Sequence, residues 1–361
     1  MQRVLFLTKY SIEGASSRYR TFQYLPLLDH KRVQPTIQTL LPSEYLKILY
    51  ISSATWTTHL ARYLLGMQHA VRRWRYLGQK IQSFDTVFCE YELLPYFPVA
   101  VEVDLLRKAK RFVLDYDDAI YLNYVRLPRG IRTLLGDKVN ALVRQCDHVI
   151  VANRRLEQWA LQQNKNVTVI PTSINLAAYS NVNRPQLQSA PFVIGWIGTP
   201  VTATFLSVVG DALRRLAQRH SLLLRVIGAP DFSMEGVPVV ASAWRSETEV
   251  ADLQACHVGI MPLSDDAWAQ GKSALKLLQY MAAGIAAVAS PVGANLDVVT
   301  HGYDGLLAAT AEEWETCLEM LIRRPDLRQT LATNGREKVR SQFSLEINSP
   351  RWQEVVFNWR S

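Results

Sequence analysis

The sequence has few cysteines and no long apolar run. The four cysteines, at positions 89, 146, 256 and 317, show no C-x-x-C or C-x-x-H spacing, which argues against a zinc site and favours a reduced, cytosolic protein. No stretch approaches the roughly 20 apolar residues of a membrane helix. The first apolar run covers only residues 4–7 before Lys9 interrupts it, so we expect a buried strand there and no signal peptide.

Acidic charge is scarce in the first half. Residues 1–187 carry 25 Lys and Arg against 14 Asp and Glu, a net charge of +11, whereas residues 188–361 carry 15 against 18, a net charge of −3. A basic first half predicts an anionic partner such as phospholipid, a lipid-phosphate acceptor or nucleic acid, unless the charge is only solvated surface. With 48% hydrophobic and 20% charged residues over 361 positions, the chain is long enough for two globular domains.

Strand-like and helix-like segments alternate along the whole chain, which predicts parallel sheets with helices on both faces. We expect one series of strands at 4–7, 86–89, 111–116, 148–152 and 167–171, and a second at 192–198, 222–228, 237–240, 258–263 and 286–290. Two such series predict two Rossmann-like domains, residues 1–187 and 188–349. The linker is predicted at 181–191, and the amphipathic segment 350–361 is expected to pack back on the first domain.

The stretch 268–293 carries the clearest chemistry. A polar loop is followed by a predicted helix over 273–283, on which Lys272, Lys276 and Gln279 share one face by their spacing. A glycine before a helix start, here Gly271, leaves backbone N–H groups and a partial positive charge for a diphosphate. Lys272 adds a full positive charge.

This stretch resembles the donor site of GT-B glycosyltransferases of the large retaining group often called family 4. In that group a helix of the form E-A-M-A-x-G-x-P-V-V carries a ribose-binding glutamate, and Gln279 falls at its position. Gly271 falls where a second acidic residue usually stands. A Lys-rich subgroup, G-K-x-x-x-K-x-L-x-Y-M-A-x-G, matches better, through Gly271, Lys272, Lys276, Tyr280, Met281 and Gly284.

The resemblance implies a GT-B fold, with two Rossmann-like domains facing a central cleft, and a donor site in the second domain. The strand and turn FVIGWIGTP resembles the same group's first turn, where Gly195, Gly198 and Thr199 would let the backbone approach phosphates. Trp268 would stack on the base or the sugar, or pack in the core. The predicted donor-binding residues are Gly198, Thr199, Trp268, Gly271, Lys272, Ser273, Ala274, Leu275, Lys276 and Gln279.

The loop after the first strand is polar and flexible, and a helix is predicted to start near its end. Arginines at a helix start are disfavoured by the helix dipole, which suggests that they reach an anionic group. The resemblance supports this, because the group commonly has a glycine-rich loop here that touches donor phosphates or acceptor. The predicted phosphate or acceptor loop comprises Gly14, Ser16, Ser17, Arg18 and Arg20.

Three carboxylates, Asp115, Asp117 and Asp118, come just past a predicted strand. They could bind an acceptor hydroxyl or take its proton, hold a metal through their D-Y-D spacing, or cap the next turn. GT-B enzymes generally need no metal, so the resemblance disfavours the second role. We predict Asp117, Asp118 and Lys272 as catalytic residues, no metal site and no cofactor besides the nucleotide sugar.

Basic residues alternate with Trp and Tyr over residues 43–84. This pattern is typical of an interfacial helix on an anionic membrane. It also fits single-stranded nucleic acid, a partner that the nucleotide-sugar site disfavours. We therefore expect a cytoplasmic protein that binds the inner face of the plasma membrane peripherally and no nucleic acid.

The predicted function is transfer of a sugar, with retention, from a UDP- or GDP-sugar to a glycan or lipid-linked acceptor in cell-surface polysaccharide or glycoconjugate synthesis. Two alternatives stay open, a GT-B-like sugar-nucleotide epimerase and a non-catalytic sugar-nucleotide-binding protein.

Overall fold

The computed structural model describes residues 1–49, 56–125, 127–135, 137–180 and 191–359. The chain divides into two compact units. The first comprises Met1–Thr172, Gly271–Ser273 and Asn348–Ser361, and the second comprises Ser173–Gln270 and Ala274–Ile347. Of the predicted linker, residues 181–190 lie outside the described residues, and the domain boundary predicted at 187/188 stays a prediction.

The first unit contains a parallel sheet of six strands in the order β2-β1-β3-β4-β5-β6. Residues 4–7 in β1 are fully buried, as expected for a strand covered on both faces. The strands are β1 (Gln2–Tyr10), β2 (Val33–Leu41), β3 (Thr86–Glu90), β4 (Phe112–Tyr116), β5 (His148–Val151) and β6 (Val167–Val169).

Helices connect these strands in sequence. The described helices are α1 (Ala15–Ser17), α2 (Ser43–Leu49), α3 (Trp56–Lys80), α4 (Val99–Lys108), α5 (Tyr121–Val125), α6 (Arg129–Leu135), α7 (Lys138–Gln145) and α8 (Arg154–Leu161). A π-helix over Arg18–Phe22 and a 3-10 turn over Leu25–Leu27 replace the α-helix expected after the polar loop that follows β1.

The second unit contains another parallel six-stranded sheet, in the order β12-β11-β10-β7-β8-β9. Its strands are β7 (Phe192–Ile197), β8 (Leu222–Ile227), β9 (Val239–Ser242), β10 (Val258–Met261), β11 (Ala286–Ala289) and β12 (Leu306–Leu307). Its helices are α9 (Gly210–Arg219), α10 (Glu249–Gln254), α11 (Ala267–Gln270), α12 (Leu275–Ala282), α13 (Asn295–Val298), α14 (Ala311–Arg323) and α15 (Pro325–Lys338). A capping box between Thr310 and Glu313 fixes the start of α14.

The last helix, α16 (Leu345–Phe357), carries Trp352 into the core of the first unit. The Trp352 ring is buried and stacks on Tyr24 at a centroid distance of 4.6 Å and on Phe6 at 5.9 Å. Aromatic pairs of this kind stabilise a fold by about 0.5–1.5 kcal/mol each beyond their burial. The C-terminal segment is therefore part of the hydrophobic core of the first unit.

Each sheet has one point where the strand order reverses. In the first unit this switch lies between β1 and β3, and in the second it lies between β7 and β10. Ligands of open parallel sheets bind beyond the carboxyl ends of the strands at such a point. The residues after β1 and β3, and those after β7 and β10, are thus the places to search for sites.

Candidate functional site

Two glycines shape the carboxyl edge of the second sheet. Gly198 follows β7 and Gly228 follows β8, where Gly228 adopts a φ of +96°. A Cβ on Gly228 would lie 2.1 Å from the carbonyl oxygen of Gly198, so no larger residue fits while the two loops stay in contact. Gly198 itself packs against the Trp196 ring. Gly195 lies inside β7 against Cys256, so packing explains Gly195 and removes it from the predicted phosphate turn.

The turn after β7 uses its own polar groups. The Thr199 N–H donates to Thr202 Oγ1 at 3.0 Å, and the Thr202 N–H donates back to the Thr199 carbonyl at 2.9 Å. This reciprocal pair starts the 3-10 helix Thr202–Val209. Because the Thr199 N–H is used within the turn, only the half-exposed side chain of Thr199 is left to bind a donor.

The predicted helix over 273–283 begins later than expected. Ala274 adopts a left-handed φ of +57° and α12 starts at Leu275, so Lys272 and Ser273 lie in an extended segment before the helix. The prediction that Lys272, Lys276 and Gln279 share one helical face is wrong for Lys272. Trp268, in α11, donates its backbone N–H to Asp266 Oδ1 at 2.8 Å and is half-buried.

The two remaining residues of the predicted face differ in exposure. Lys276 is half-buried, with its ammonium 5.5 Å from the centroid of the Trp196 ring. Gln279 is only 3% exposed, and its amide donates to Glu249 Oε1 at 3.0 Å. The other oxygen of Glu249 accepts from Trp244 Nε1 at 2.6 Å. The expectation that Gln279 itself presents an amide to a ribose is corrected, because that amide is turned onto Glu249.

Sequence reasoning missed Glu249 as a site candidate. It stands at the start of α10, five residues after Trp244 and thirty before Gln279. The local pattern W-R-S-E-T-E signals only a helix start with acidic residues, which the helix dipole favours. Its proximity to Gln279 depends on the tertiary fold.

The segment Gly271–Ser273 belongs to the first unit. A Cβ on Gly271 would lie 2.3 Å from that of Ala119, and Asn153 Nδ2 donates to the Lys272 carbonyl at 3.2 Å. Lys272 Nζ forms an ion pair with Asp118 Oδ2 at 2.9 Å. Two of the three predicted catalytic residues are therefore in direct contact.

Asp117 is buried next to this pair. It accepts a hydrogen bond from the Tyr91 hydroxyl, whose oxygen lies 3.1 Å from Ser16 Oγ and can accept the serine proton. Burial, followed by the repulsion of the Asp118 carboxylate, raises the pKa of Asp117 to about 6. The buried Asp117 carboxyl is therefore harder to ionise than an exposed aspartate.

Asp115 and Arg20 form a buried ion pair in the first unit. Arg20 is 2% exposed, binds Asp115 through both Nε and Nη2, and donates to the Ile170 carbonyl at 2.8 Å. The expectation that Arg20 reaches an anionic ligand is corrected, because the anionic group is Asp115. Removing either partner would leave a buried charge uncompensated.

The remaining loop residues serve mainly to hold the loop. Ser17 is buried and donates to Glu90, so its assignment to a phosphate or acceptor is likewise corrected. Gly14 packs against Tyr10, where a Cβ would lie 2.4 Å from the tyrosine Cβ. Arg18 and Ser16 are half-buried, and binding of a ligand by these two stays a prediction.

The segment 43–84 is described except for residues 50–55, which lie outside the described residues. Its main element is α3, and Trp56, Tyr63 and Leu64 are 76%, 59% and 58% exposed. Arg73 departs from the expectation of a surface cation, because it is buried and donates to the carbonyls of Thr8 and Gln38 at 2.7 Å.

Two searches of the described residues gave negative results. In this part of the chain, no group of three or more His, Cys, Asp or Glu side chains is arranged to hold a metal ion. None of the helices there combines the length and the apolar character needed to cross a bilayer. The expected metal independence stays a prediction.

Comparison with known proteins places the second unit in a family. Residues 191–324 match the family model described as glycosyl transferases group 1. This range runs from β7 through α14 and includes Gly198, Gly228, Glu249 and α12. The match to group 1 glycosyltransferases thus lies within the second unit, except for Gly271–Ser273.

A curated relative shares part of this chain. Glycosyltransferase 1 domain-containing protein 1 of Xenopus tropicalis is 26% identical over 112 residues, which cover 31% of this chain and 32% of that protein. The match thus spans about a third of the relative's length.

Solved structures similar to the whole chain show its fold. Sucrose-phosphate synthase from Thermosynechococcus elongatus is 16% identical with a TM-score of 0.69, and the alignment covers 99% of both chains. Anabaena HepE in complex with UDP-glucose is 16% identical with a TM-score of 0.68 over 99% of this chain and all of HepE. The chain that carries the group 1 match has the GT-B fold.

Proposed function

We propose that this glycosyltransferase moves a sugar from a UDP- or GDP-sugar to a glycan or lipid-linked acceptor with retention at the anomeric carbon. The observation that carries the proposal is the group 1 match over 191–324, which covers the switch point between β7 and β10. The UDP-glucose complex of the similar HepE structure supports a uridine donor. The biological setting we propose is cell-surface polysaccharide or glycoconjugate synthesis.

In the proposed reaction, the bond between the anomeric carbon and the diphosphate oxygen breaks, and a bond to an acceptor hydroxyl oxygen forms. The leaving diphosphate gains negative charge. Lys272, Lys276 and the N–H groups at the start of α12 would stabilise that charge, which is usually the largest catalytic contribution. A diphosphate competes with the Asp118 carboxylate for the Lys272 ammonium, because their ion pair is partly exposed.

The acceptor hydroxyl loses its proton during this reaction. Asp117 and Asp118 are the proposed groups that bind the hydroxyl and take the proton. The raised pKa of Asp117, about 6, supports this role, since a base near neutral pH transfers protons most efficiently. The Tyr91 hydroxyl fixes the orientation of the Asp117 carboxylate.

Nucleotide binding is the first test. Thermal unfolding of the full chain with UDP, GDP, ADP or TDP should give stabilisation by one nucleotide well above the others, because the shift depends on ligand concentration relative to Kd. No shift with any nucleotide would contradict the proposal.

Transfer is the second test. Lys272→Ala should lower turnover about 10²–10³-fold, as removal of one oxyanion donor does. Lys110→Ala is the matched control, because Lys110 forms an ion pair of the same length with Asp85 and has no proposed role. The anomeric configuration of the product, measured by NMR, tests retention.

Two other outcomes would identify the alternatives. An epimer formed from the nucleotide sugar without acceptor would indicate an epimerase. Nucleotide binding together with biological activity that Lys272→Ala leaves unchanged would indicate a non-catalytic binding protein.

We also propose that α3 binds an anionic membrane peripherally, at the inner face of the plasma membrane. Trp56, Leu60, Tyr63 and Leu64 are exposed on one side of the helix at a spacing of three to four residues. Exposed arginines, such as Arg72 and Arg75, lie farther along the same helix. Apolar side chains beside cations suit a headgroup region that carries negative charge.

Vesicle sedimentation tests this contact. Wild type should bind vesicles containing phosphatidylserine more strongly than pure phosphatidylcholine, and less strongly at high salt. A variant with Trp56→Ser, Leu60→Ser and Leu64→Ser should lose binding. Equal sedimentation of variant and wild type would exclude α3 as the contact.

A further inference from the structure

The switch point of the first sheet holds a side chain that the proposed reaction does not use. β1 and β3 are neighbours in the sheet. The connection after β1 leads to β2 on one side, whereas β3 begins the series of strands on the other side. Lys9 and Tyr10 end β1, and Tyr91 follows β3 directly. A lysine therefore stands where parallel sheets bind ligands.

Aromatic rings surround the Lys9 ammonium. Its Nζ lies 4.7 Å from the centroid of the Tyr91 ring and 5.7 Å from that of Tyr10. Within the described ranges, no carboxylate forms an ion pair with this ammonium. Cation–π contacts hold the cation in place without neutralising it.

The backbone near Tyr91 is strained. Tyr91 and Tyr96 adopt φ values of +63° and +61°, a region that costs about 1–3 kcal/mol for residues other than glycine. The Tyr91 ring lies 4.7 Å from Lys9 Nζ, and its hydroxyl binds Asp117. Tyr96 remains 54% exposed and is fixed by a hydrogen bond of 3.2 Å from its N–H to the Tyr124 hydroxyl.

Lys9 keeps its charge in this setting. Burial acts to lower its pKa, but the oxygens of Tyr10, Glu92 and Tyr96 act in the opposite direction, and the net pKa lies above the ordinary value. A protonated lysine carries three N–H donors and is a point charge suited to phosphate. Of the tyrosines that act on Lys9, Tyr91 is buried and Tyr96 is 54% exposed, and the exposed face of Tyr96 suits the apolar C–H face of a sugar ring.

We propose that Lys9, with Tyr10, Tyr91 and Tyr96, forms an acceptor subsite for a sugar that bears a phosphate group. This inference deepens the proposed function. It rests on that function because only a sugar transfer makes the bound sugar phosphate an acceptor. The phosphate binds Lys9 and the sugar ring stacks on tyrosine. Because the Tyr91 ring lies against Lys9 and the Tyr91 hydroxyl binds Asp117, a phosphate on Lys9 places the sugar hydroxyls near the proposed base.

The test uses the full chain with saturating UDP, so that phosphate probes cannot bind as donor analogues. Calorimetric titration with hexose 1-phosphates and 6-phosphates should show binding at least about tenfold tighter than with the parent hexoses. Lys9→Met should weaken this binding about 10- to 100-fold, as loss of a charged hydrogen bond does. Lys9→Arg should restore most of it.

Lys31→Met is the matched control. Lys31 is an exposed lysine before the start of β2, at the opposite edge of the same sheet, and its removal should change nothing. Phosphatidylcholine vesicles carrying a polyprenyl-diphosphate-linked hexose form a second arm. Lys9-dependent binding only to these vesicles assigns the phosphate to a lipid carrier, and binding only to soluble probes assigns it to a free sugar phosphate.

Three results would overturn the subsite. They are Lys9→Met binding equal to wild type, equal affinity for hexose and hexose phosphate, and no Lys9-dependent binding in either arm. Failure of the proposed function is distinguishable, because it would abolish the nucleotide-induced thermal shift while leaving Lys9-dependent sugar-phosphate binding intact. If UDP does not bind, the same calorimetric titrations without UDP measure the Lys9-dependent binding of sugar phosphates.

Discussion

The carboxyl edges of the two sheets are built differently. In the first unit, Arg20 and Asp115 are buried and bound to each other, and the buried Glu90 carboxylate accepts hydrogen bonds from two side-chain hydroxyls. In the second unit, the edge is shaped by close backbone approaches at Gly198 and Gly228. Backbone loops suit a phosphate, which needs close approach, whereas ordered side chains suit discrimination among hydroxyls. The difference supports the proposal that the backbone recognises the nucleotide and that side chains recognise the acceptor.

The largest effect is expected from breaking the buried ion pair of the first unit. Arg20→Met should destabilise that unit by about 3–5 kcal/mol, because Asp115 would stay buried and unpaired. Urea unfolding would measure the loss. Arg215→Met, which removes a partly exposed partner of Glu315 in the second unit, is the control and should cost no more than about 1 kcal/mol. Equal losses in the free energy of unfolding would mean that burial of the Arg20–Asp115 pair does not make it more important for stability than the partly exposed pair.

The corresponding change in the second unit targets the backbone. Gly228→Ala should destabilise that unit by about 1–3 kcal/mol and weaken nucleotide binding, because its positive φ and the Gly198 carbonyl leave no room for a Cβ. Gly78→Ala, within α3 where a Cβ meets nothing within 4 Å, should instead stabilise by about 0.5–1 kcal/mol. Thermal unfolding with and without UDP measures both effects. Unchanged nucleotide binding in Gly228→Ala would refute the role of this loop.

A side-chain cluster at the edge of the second unit, formed by Gln279, Glu249 and Trp244, gives a third test. Gln279→Glu should lower the free energy of unfolding by about 1–3 kcal/mol at pH 8. The hydrogen bond from Gln279 to Glu249 would be replaced by repulsion between two buried carboxylates. The exchange of both residues, Gln279→Glu with Glu249→Gln, should recover most of the stability. Failure of the exchange to recover it would show that Trp244 requires a carboxylate at position 249.

Much of the fold could be predicted from apolar runs, and the misses have local causes. The runs at 4–7, 111–116 and 192–198 are continuous and buried, so they identify β1, β4 and β7. Strand β2 was not predicted, because Pro35 and alternating polar residues weaken its signal, and an edge strand tolerates proline. The start of α12 was misplaced because the left-handed turn at Ala274 has no signature in its sequence.

The candidate site was only partly predictable for a different reason. Asp117, Asp118 and Lys272 were identified from strand ends and from the family motif, and Asp118 and Lys272 are in contact. Arg20 and Ser17 were identified by the same reasoning, yet their partners Asp115 and Glu90 lie more than 70 residues away in sequence. Only the fold decides whether a polar residue at an edge faces a ligand or another side chain.

For one group and one pH unit, the pH dependence of stability gives the smallest effect, and the carboxylates responsible lie in the first unit. The folded pKa of Asp117, about 6, exceeds its ordinary value of 3.8. Between these values the folded state binds more protons than the unfolded state, so stability falls as pH rises from about 4 to about 6. The slope from one group is at most about 1.4 kcal/mol per pH unit. Burial likewise raises the pKa of Glu90 to about 7, which extends the fall.

Asp117→Asn should remove only the contribution of Asp117, between about pH 4 and pH 6, and leave that of Glu90, which extends from its ordinary pKa of 4.5 to about 7. Urea unfolding of the first unit, followed between pH 4 and pH 8, measures it. The rate of transfer should show the opposite dependence and rise toward pH 6, because the proposed base must be ionised. A rate independent of pH across this range, with the stability profile as expected, would leave Asp117 a structural acid and transfer the role of base to Asp118.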